Sequence, residues 1–374
     1  MENASVISVL GIIIVLLFLF FSVFLFTVKT EKKLSNFLLA TFLVIISIDV
    51  SVFFYRNFID LPLAIEMLRV KISHFKDPLL FLYILSIIYS NFKLKRIHLI
   101  HALPWLINII VLIPNFFLAE DTAKIQFLNH YSETLEGRFS DILGYLISLA
   151  YFLAEIYYVV RYRKLLLENY TDKNAFKNYN WLKQLLILIS IGQLITIIKS
   201  VFRESYSADA TDVLRIITLL FGIFFIFWLV LKALNSPKLF RGIDVNLLAS
   251  KEIVKENVVH KKSNQQVELL KNYMKEEKPF LNPSLTIRNL AHQMKMPMRE
   301  LSVLINQHLN QHFFDFVNDY RINMAKEILK DPSKKRFTVL EILYEVGFNS
   351  KSSFNTAFKK HVGKTPTEYR KSDS

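Results

Sequence analysis

The chain has 374 residues, 52% of them hydrophobic and 21% charged, a balance that excludes a disordered chain. Apolar residues crowd the first two thirds and polar ones the last third, which argues against a soluble enzyme. With no cysteine there is no disulfide, Cys-ligated zinc or thiol nucleophile, and a net charge of +14 favours nucleic acid or an anionic membrane face as partner.

A helix needs ~20 mostly apolar residues to cross a bilayer. Ser5 to Val28 meets that without a charge. Lys29, Lys32 and Lys33 follow the run and no small-residue cleavage site ends it, so it reads as a first span and not as a signal peptide. Further spans are expected near Leu34–Phe54, Leu63–Ser90, Ile97–Phe117, Asp141–Val160, Trp181–Phe202 and Val213–Leu234. Cations gather in alternate loops: Lys29, Lys32 and Lys33, then Lys93, Lys95 and Arg96, then Arg161, Arg163, Lys164, Lys173, Lys177 and Lys183. Positive loops stay inside, so the N-terminus is expected outside and everything after Leu234 in the cytoplasm.

The third span is anomalous. Its clean apolar run, Leu79 to Tyr89, is too short to cross alone. Before it, Glu66, Arg69, Ser73, Lys76 and Asp77 share one helical face, and Pro78 is expected to kink the helix. Together with Asp49, His74, Lys199 and Arg215, these residues lie in the outer half. They read in two ways: a polar cavity for an extracytoplasmic ligand, anionic because cations outnumber acids, or internal salt bridges with snorkelling ends. Glu155 stands isolated on the inner side and is given no role. His98 and His101 lack further ligands and read as an interface, so no metal and no cofactor is expected. Catalytic motifs are absent, and no enzyme is expected.

Asn235, Ser236 and Pro237 end the seventh helix and open a linker, 235–263. Its apolar set, Leu247, Leu248, Ile253 and Val254, suits a signalling helix or a loose tether equally.

Short amphipathic helices follow in 264–374. Val267, Leu269, Leu270, Tyr273 and Met274 define the first; Leu285, Ile287, Leu290, Ala291 and Met294 the second; Leu301, Leu304, Ile305 and Leu309 the third. A longer helix runs from Phe313 to Leu329. Thr338 and Glu341 have capping-box spacing, Val339, Ile342, Leu343 and Val346 face inward, and Gly347 ends that helix. Lys351 to His361 is the next helix, with Phe354, Ala357, Phe358 and Val362 inward, closed by Gly363. Thr365, Pro366 and Glu368 start a last short one.

The run Glu345-Val346-Gly347-Phe348-Asn349-Ser350-Lys351-Ser352-Ser353-Phe354, continued by Phe358-Lys359-Lys360 and by Gly363-Lys364-Thr365-Pro366-Thr367-Glu368-Tyr369-Arg370, closely resembles the signature of AraC/XylS-type transcription regulators. Asp319-Tyr320-Arg321 with Ala325 and Leu329 resembles that family's linking helix, and Leu285 to Ala291 with Leu301 to Asn306 its first unit. The whole layout resembles seven-span, membrane-tethered regulators of Bacteroidetes-like bacteria.

The resemblance implies an all-α protein: a seven-helix transmembrane bundle (1–234), a cytoplasmic linker, and two helix-turn-helix units joined by one long helix. The third and sixth helices of the C-terminal domain would enter successive major grooves of bent DNA. Met298, Arg299, Ser302 and Val303 on one, and Lys351, Ser352, Asn355 and Thr356 on the other, match base-facing positions. Arg299 suits guanine, Asn355 adenine and Val303 a thymine methyl. Lys359, Lys360, Lys364 and the backbone at Ser350 suit phosphate. The plainer alternatives are an Arg299–Glu300 surface pair and a solvated Lys359–Lys360 face. Pro297, Leu343 and Thr356 depart from the family's usual residues. Expected partners are double-stranded DNA, the lipid bilayer, a second copy of the chain, RNA polymerase and an extracytoplasmic ligand, with the protein in the bacterial inner membrane. A carrier with a regulatory DNA-binding tail is the alternative function.

Overall fold

The computed structural model describes residues 2–205, 208–241 and 263–372; most of the expected linker, with Leu247, Leu248, Ile253 and Val254, lies outside the described residues. These form two compact units, Met1–Val159 with Asn180–Ser250, and Val160–Tyr179 with Lys251–Ser374. Among the described residues the secondary structure is helical, apart from one isolated β-bridge between Tyr170 and Thr286.

The first unit begins with α1 (Glu2–Thr27), α2 (Lys33–Val50) and α3 (Val52–Tyr55). The third expected span is three pieces: α4 (Leu63–Ile72), a 3-10 turn (Ser73–Phe75) and α5 (Lys76–Ile88). Pro78 sits in the first turn of α5, where its missing N–H costs little. The carbonyl it cannot serve, that of His74, lies within the 3-10 turn, so the break falls one turn before the proline. Next come α6 (Leu103–Leu112), α7 (Asp121–Asn129), α8 (Leu135–Asn169), α9 (Lys177–Ser205), α10 (Ala208–Asn235) and α11 (Lys238–Arg241).

Among the described residues six helical stretches are long and apolar enough to cross a membrane: Val6–Thr27, Lys33–Tyr55, Arg96–Phe117, Leu135–Asn169, Lys177–Ser200 and Thr211–Asn235. The broken α4–α5 segment falls outside this set, so six of the seven expected spans have such a helix. Ile142, Tyr145, Leu146, Leu149, Leu153, Tyr157 and Val160 form an exposed apolar stripe on α8 at helical spacing. Water disfavours such a stripe and lipid does not.

Inward, Leu38, Leu39, Leu43, Ile84, Leu182, Leu185 and Leu229 are fully buried. Trp181 stacks on Trp228 at 5.1 Å and donates from Nε1 to the buried Tyr83 hydroxyl at 2.7 Å. After α10 the chain turns back, and Phe240 is buried against Phe21 and Trp181. Asn36 Nδ2 donates to the Phe240 carbonyl at 3.0 Å, satisfying a buried amide.

The second unit contains α12 (Ser263–Glu276), α13 (Ile287–Gln293), α14 (Met298–Val303), α15 (Phe313–Lys330), α16 (Val339–Glu345), α17 (Lys351–Val362) and α18 (Pro366–Lys371). Leu270, Met274, Leu290, Leu301, Ile305 and Val317 belong to one core cluster. Ala325, Ile342, Leu343, Phe354 and Phe358 belong to another. α15 contributes to both, and Met324 packs against each. Leu269, expected inward, is 63% exposed, because it falls one residue off the 3–4 spacing of Val267, Leu270 and Met274.

The punctuation is local chemistry. Thr338 with Glu341 and Thr365 with Glu368 form capping boxes in which each side chain serves the other's backbone N–H. Gly347 and Gly363 take φ of +87° and +79°. At Gly347 a Cβ would lie 2.5 Å from the Phe280 carbonyl oxygen and 2.7 Å from that of Leu281; at Gly363 it would meet nothing within 4 Å.

Candidate nucleic-acid interface

In the second unit two pairs of short helices flank α15. Thr286 caps α13, its hydroxyl accepting from the Asn289 N–H at 3.2 Å. A tight turn through Lys295, at φ +52°, then leads to α14. Leu301 anchors its inner face, with Leu304 and Ile305 buried just beyond its end. Met298 and Arg299 are exposed in its first turn, and Ser302 and Val303 are half-buried one turn on. Ser302 Oγ accepts from Asn306 Nδ2 at 3.0 Å. Past Val303 the helix widens into a π-helical turn, Leu304–His308, a change that no spacing of apolar residues announces. Regular α geometry therefore covers only the turns bearing the four candidate base-facing residues.

In the other pair, α16 ends at Gly347 and Ser350 caps α17, accepting from the Ser353 N–H at 3.2 Å. Phe354, Ala357 and Phe358 point inward, leaving Lys351, Ser352 and Thr356 exposed and Asn355 half-buried. Thr356 Oγ1 donates its proton to the Ser352 carbonyl at 2.7 Å, which leaves its methyl and the hydroxyl's acceptor lone pairs facing outward. Lys359, Lys360 and Lys364 are exposed. Lys360 Nζ pairs with Asp315 Oδ1 at 2.5 Å, a contact that phosphate would have to displace. Ser350, whose backbone is expected at phosphate, spends its side chain on the cap that starts α17.

Arg321 holds the two pairs together and was not singled out from the sequence for a role. It is 1% exposed. Its Nε donates to the Phe280 carbonyl at 2.7 Å, Nη2 donates to the Asn282 carbonyl at 2.8 Å, and its guanidinium lies 5.4 Å from the Phe348 ring centroid. Burial pushes it down to about 10, opposed by the charge of Asp172, so it stays cationic at neutral pH. The clue was available: Arg321 is one turn from both Val317 and Ala325, on the inner face of α15.

The polar residues of the first unit sort into three groups. Glu66 is the centre of one, accepting from Arg56 Nη2 at 2.5 Å, from Arg69 Nε and Nη2 at 2.9 Å, and from the Tyr55 hydroxyl. Asp49 pairs with Lys76 at 2.8 Å and feels the charges of Arg69 and Lys199, so Asp49, Glu66, Arg69, Lys76 and Lys199 come together. Counting Arg56, that is two acids against four cations. The second group faces α8: His74 donates from Nδ1 to the Lys71 carbonyl at 2.9 Å and abuts Gly144, while Asp77 bonds Ser148. Arg215 stands apart, paired with Asp212 at 2.7 Å. Glu155 is 4% exposed, and its Oε1 has no hydrogen-bond partner among the described residues. Among the described residues no cluster of three or more His, Asp or Glu is arranged to hold a metal ion.

Residues 290–372 match the family model of a helix-turn-helix domain. The chain is 31% identical over 90 residues to an uncharacterized HTH-type transcriptional regulator, YdeC, of Bacillus subtilis, covering 24% of this chain and 30% of that protein. It is 30% identical over 88 residues to the melibiose operon regulatory protein of Escherichia coli, covering 24% and 28%. It is also 30% identical over 111 residues to the raffinose operon transcriptional regulatory protein RafR of Pediococcus pentosaceus, covering 30% and 38%. Among solved structures, the C-terminal domain of AraT, a response regulator from Geobacillus stearothermophilus, is 31% identical over 28% of this chain and 82% of that one, with a TM-score of 0.25. The chain thus spans about a third of the length of the curated relatives it matches. The matching segment, with short helices on either side of α15, is an AraC/XylS-type DNA-binding domain.

Proposed function

We propose that the chain is a membrane-embedded one-component transcription regulator. The observation that carries this is the presence, in one polypeptide, of a transcription-regulator DNA-binding domain and six helices of membrane-crossing length. The broken α4–α5 segment is the seventh span, its polar residues sheltered by partners within the bundle. The cation-rich loops favour an N-terminus outside and a C-terminal domain in the cytoplasm. The two helix pairs act as two helix-turn-helix units in successive major grooves. There Met298, Arg299, Ser302, Val303, Lys351, Ser352, Asn355 and Thr356 read bases, while Lys359, Lys360 and Lys364 hold phosphate and Ser350 positions α17. An anionic extracytoplasmic ligand competes with Glu66 for Arg56 and Arg69, and its unequal binding to two states of the bundle is the signal.

The test uses the full-length protein in lipid nanodiscs and a duplex that it selects from a random-sequence pool. Arg299→Ala and Lys351→Ala should each weaken protection of that duplex by ~1–3 kcal/mol. Unchanged protection in both variants refutes the contact assignment. Proteolysis of the C-terminal domain in right-side-out vesicles, with sparing in inverted ones, refutes the orientation.

A further inference from the structure

The loop between the fifth and sixth expected spans belongs to the same compact unit as the DNA-binding domain. α8 ends at Asn169, and the next residue, Tyr170, forms an antiparallel bridge with Thr286, the cap of α13. Thr171 is 4% exposed and donates from Oγ1 to the Leu285 carbonyl at 2.8 Å. Phe176 meets Phe314, at the start of α15, with ring centroids 5.7 Å apart and planes at 70°. Asp172 is the acid whose charge acts on buried Arg321. These contacts are of four kinds (backbone, hydroxyl, aromatic and ionic), and all come from seven consecutive residues. They engage the starts of α13 and α15 and the arginine that joins the two helix pairs. Met298 and Arg299 on α14 remain exposed, so the loop does not block the base-reading face.

The geometry points to residues 170–176 as a docking segment. Its receptor is the shoulder formed by Leu285, Thr286 and Phe314, and through it α8 sets the state of the first helix pair. This deepens the proposed function and rests on it. α8 is one uninterrupted helix from Leu135 to Asn169. A turn or shift of its last turns moves Tyr170 directly. Undocking withdraws Thr171 from the Leu285 carbonyl beside the Thr286 cap and removes the Asp172 charge from Arg321, altering the positions of both pairs. Information then reaches the DNA-binding domain by this segment as well as by the covalent linker.

The chain has no cysteine, which makes the contact directly testable. Bridge partners sit about 5 Å apart at Cα, within the reach of a disulfide. The full-length Tyr170→Cys/Thr286→Cys variant, with a protease site placed in the linker, is oxidised in inverted membrane vesicles and then cleaved. The two fragments should stay joined until reductant is added, and join faster than in a Tyr170→Cys/Leu340→Cys variant. Equal or slower joining overturns the docking. Locking the bridge in nanodiscs should then change affinity for the selected duplex about 5-fold or more. Unchanged affinity overturns the coupling. Failure of the unvaried chain to select any duplex condemns the regulator reading instead, and the cross-linking result stands independently of it.

Discussion

Gly347 and Gly363 make a matched pair for testing how the DNA-binding domain is closed. Both have positive φ, +87° and +79°, and an alanine at either position incurs the left-handed penalty of ~1–2 kcal/mol. Only Gly347 is also crowded. Its new Cβ would lie 2.5 Å from the Phe280 oxygen, so the backbones would have to part by about half an ångström to reach even the shortest real contact. The Phe280 carbonyl is not free to give way, since Arg321 Nε holds it at 2.7 Å. Overpacking of this kind adds ~1–3 kcal/mol. Gly347→Ala should therefore cost ~2–5 kcal/mol in all, and Gly363→Ala only the left-handed share. The assay is cleavage of the C-terminal domain by brief pulses of thermolysin across a urea series, in full-length protein held in detergent. A larger fall in midpoint for Gly347→Ala supports the reasoning. Equal falls would refute it, since the close approach would then cost nothing.

Four further outcomes are expected. Arg321→Met leaves the Phe280 and Asn282 carbonyls without their donor and should destabilise the domain by ~2–4 kcal/mol in the same urea series; a loss below 1 kcal/mol, roughly the worth of one ordinary hydrogen bond, contradicts the junction role. Glu66→Gln strips the counter-charge from Arg56 and Arg69 and should cost the first unit ~3 kcal/mol, read as a lower detergent melting temperature. Glu341 and Glu368 are held below the ordinary 4.5 by hydrogen bonds from Thr338 and Thr365. The stability they confer is complete above that value and is lost as pH falls through the lower folded one, so a Glu341→Gln/Glu368→Gln chain should show a shallower acid limb. Lys359→Ala should lower the slope of log affinity against log salt by about one, without changing which duplex is preferred.

What the sequence made legible was mostly local. The capping boxes at Thr338 and Thr365, the glycine stops and the extent of α15 depend on neighbours within a turn or two, and those neighbours are adjacent in the chain. The break before α5 was placed at Pro78 when it belongs one turn earlier, because a proline's missing N–H is felt by the carbonyl behind it. Long-range features stayed hidden. Tyr170 and Thr286, or Arg321 and Phe280, are distant in sequence, and no spacing rule links them. From the sequence, the charged residues of the outer half form a single set of candidates. Their division into an Arg-rich group around Glu66 and a separate His74–Asp77 group depends on which helix each face meets, which amphipathic period alone does not specify.

One consequence of the shared helix α15 concerns how the C-terminal domain comes apart. A single rod supplies the inner wall of two apolar clusters, with Met324 wedged against each. Stripping either cluster leaves half of that rod's greasy side bare to water, so the neighbour loses its backing in the same event. The domain should therefore melt in one step, and a protein cut at the middle of α15 should yield two pieces that are each unfolded rather than two independent readers of DNA.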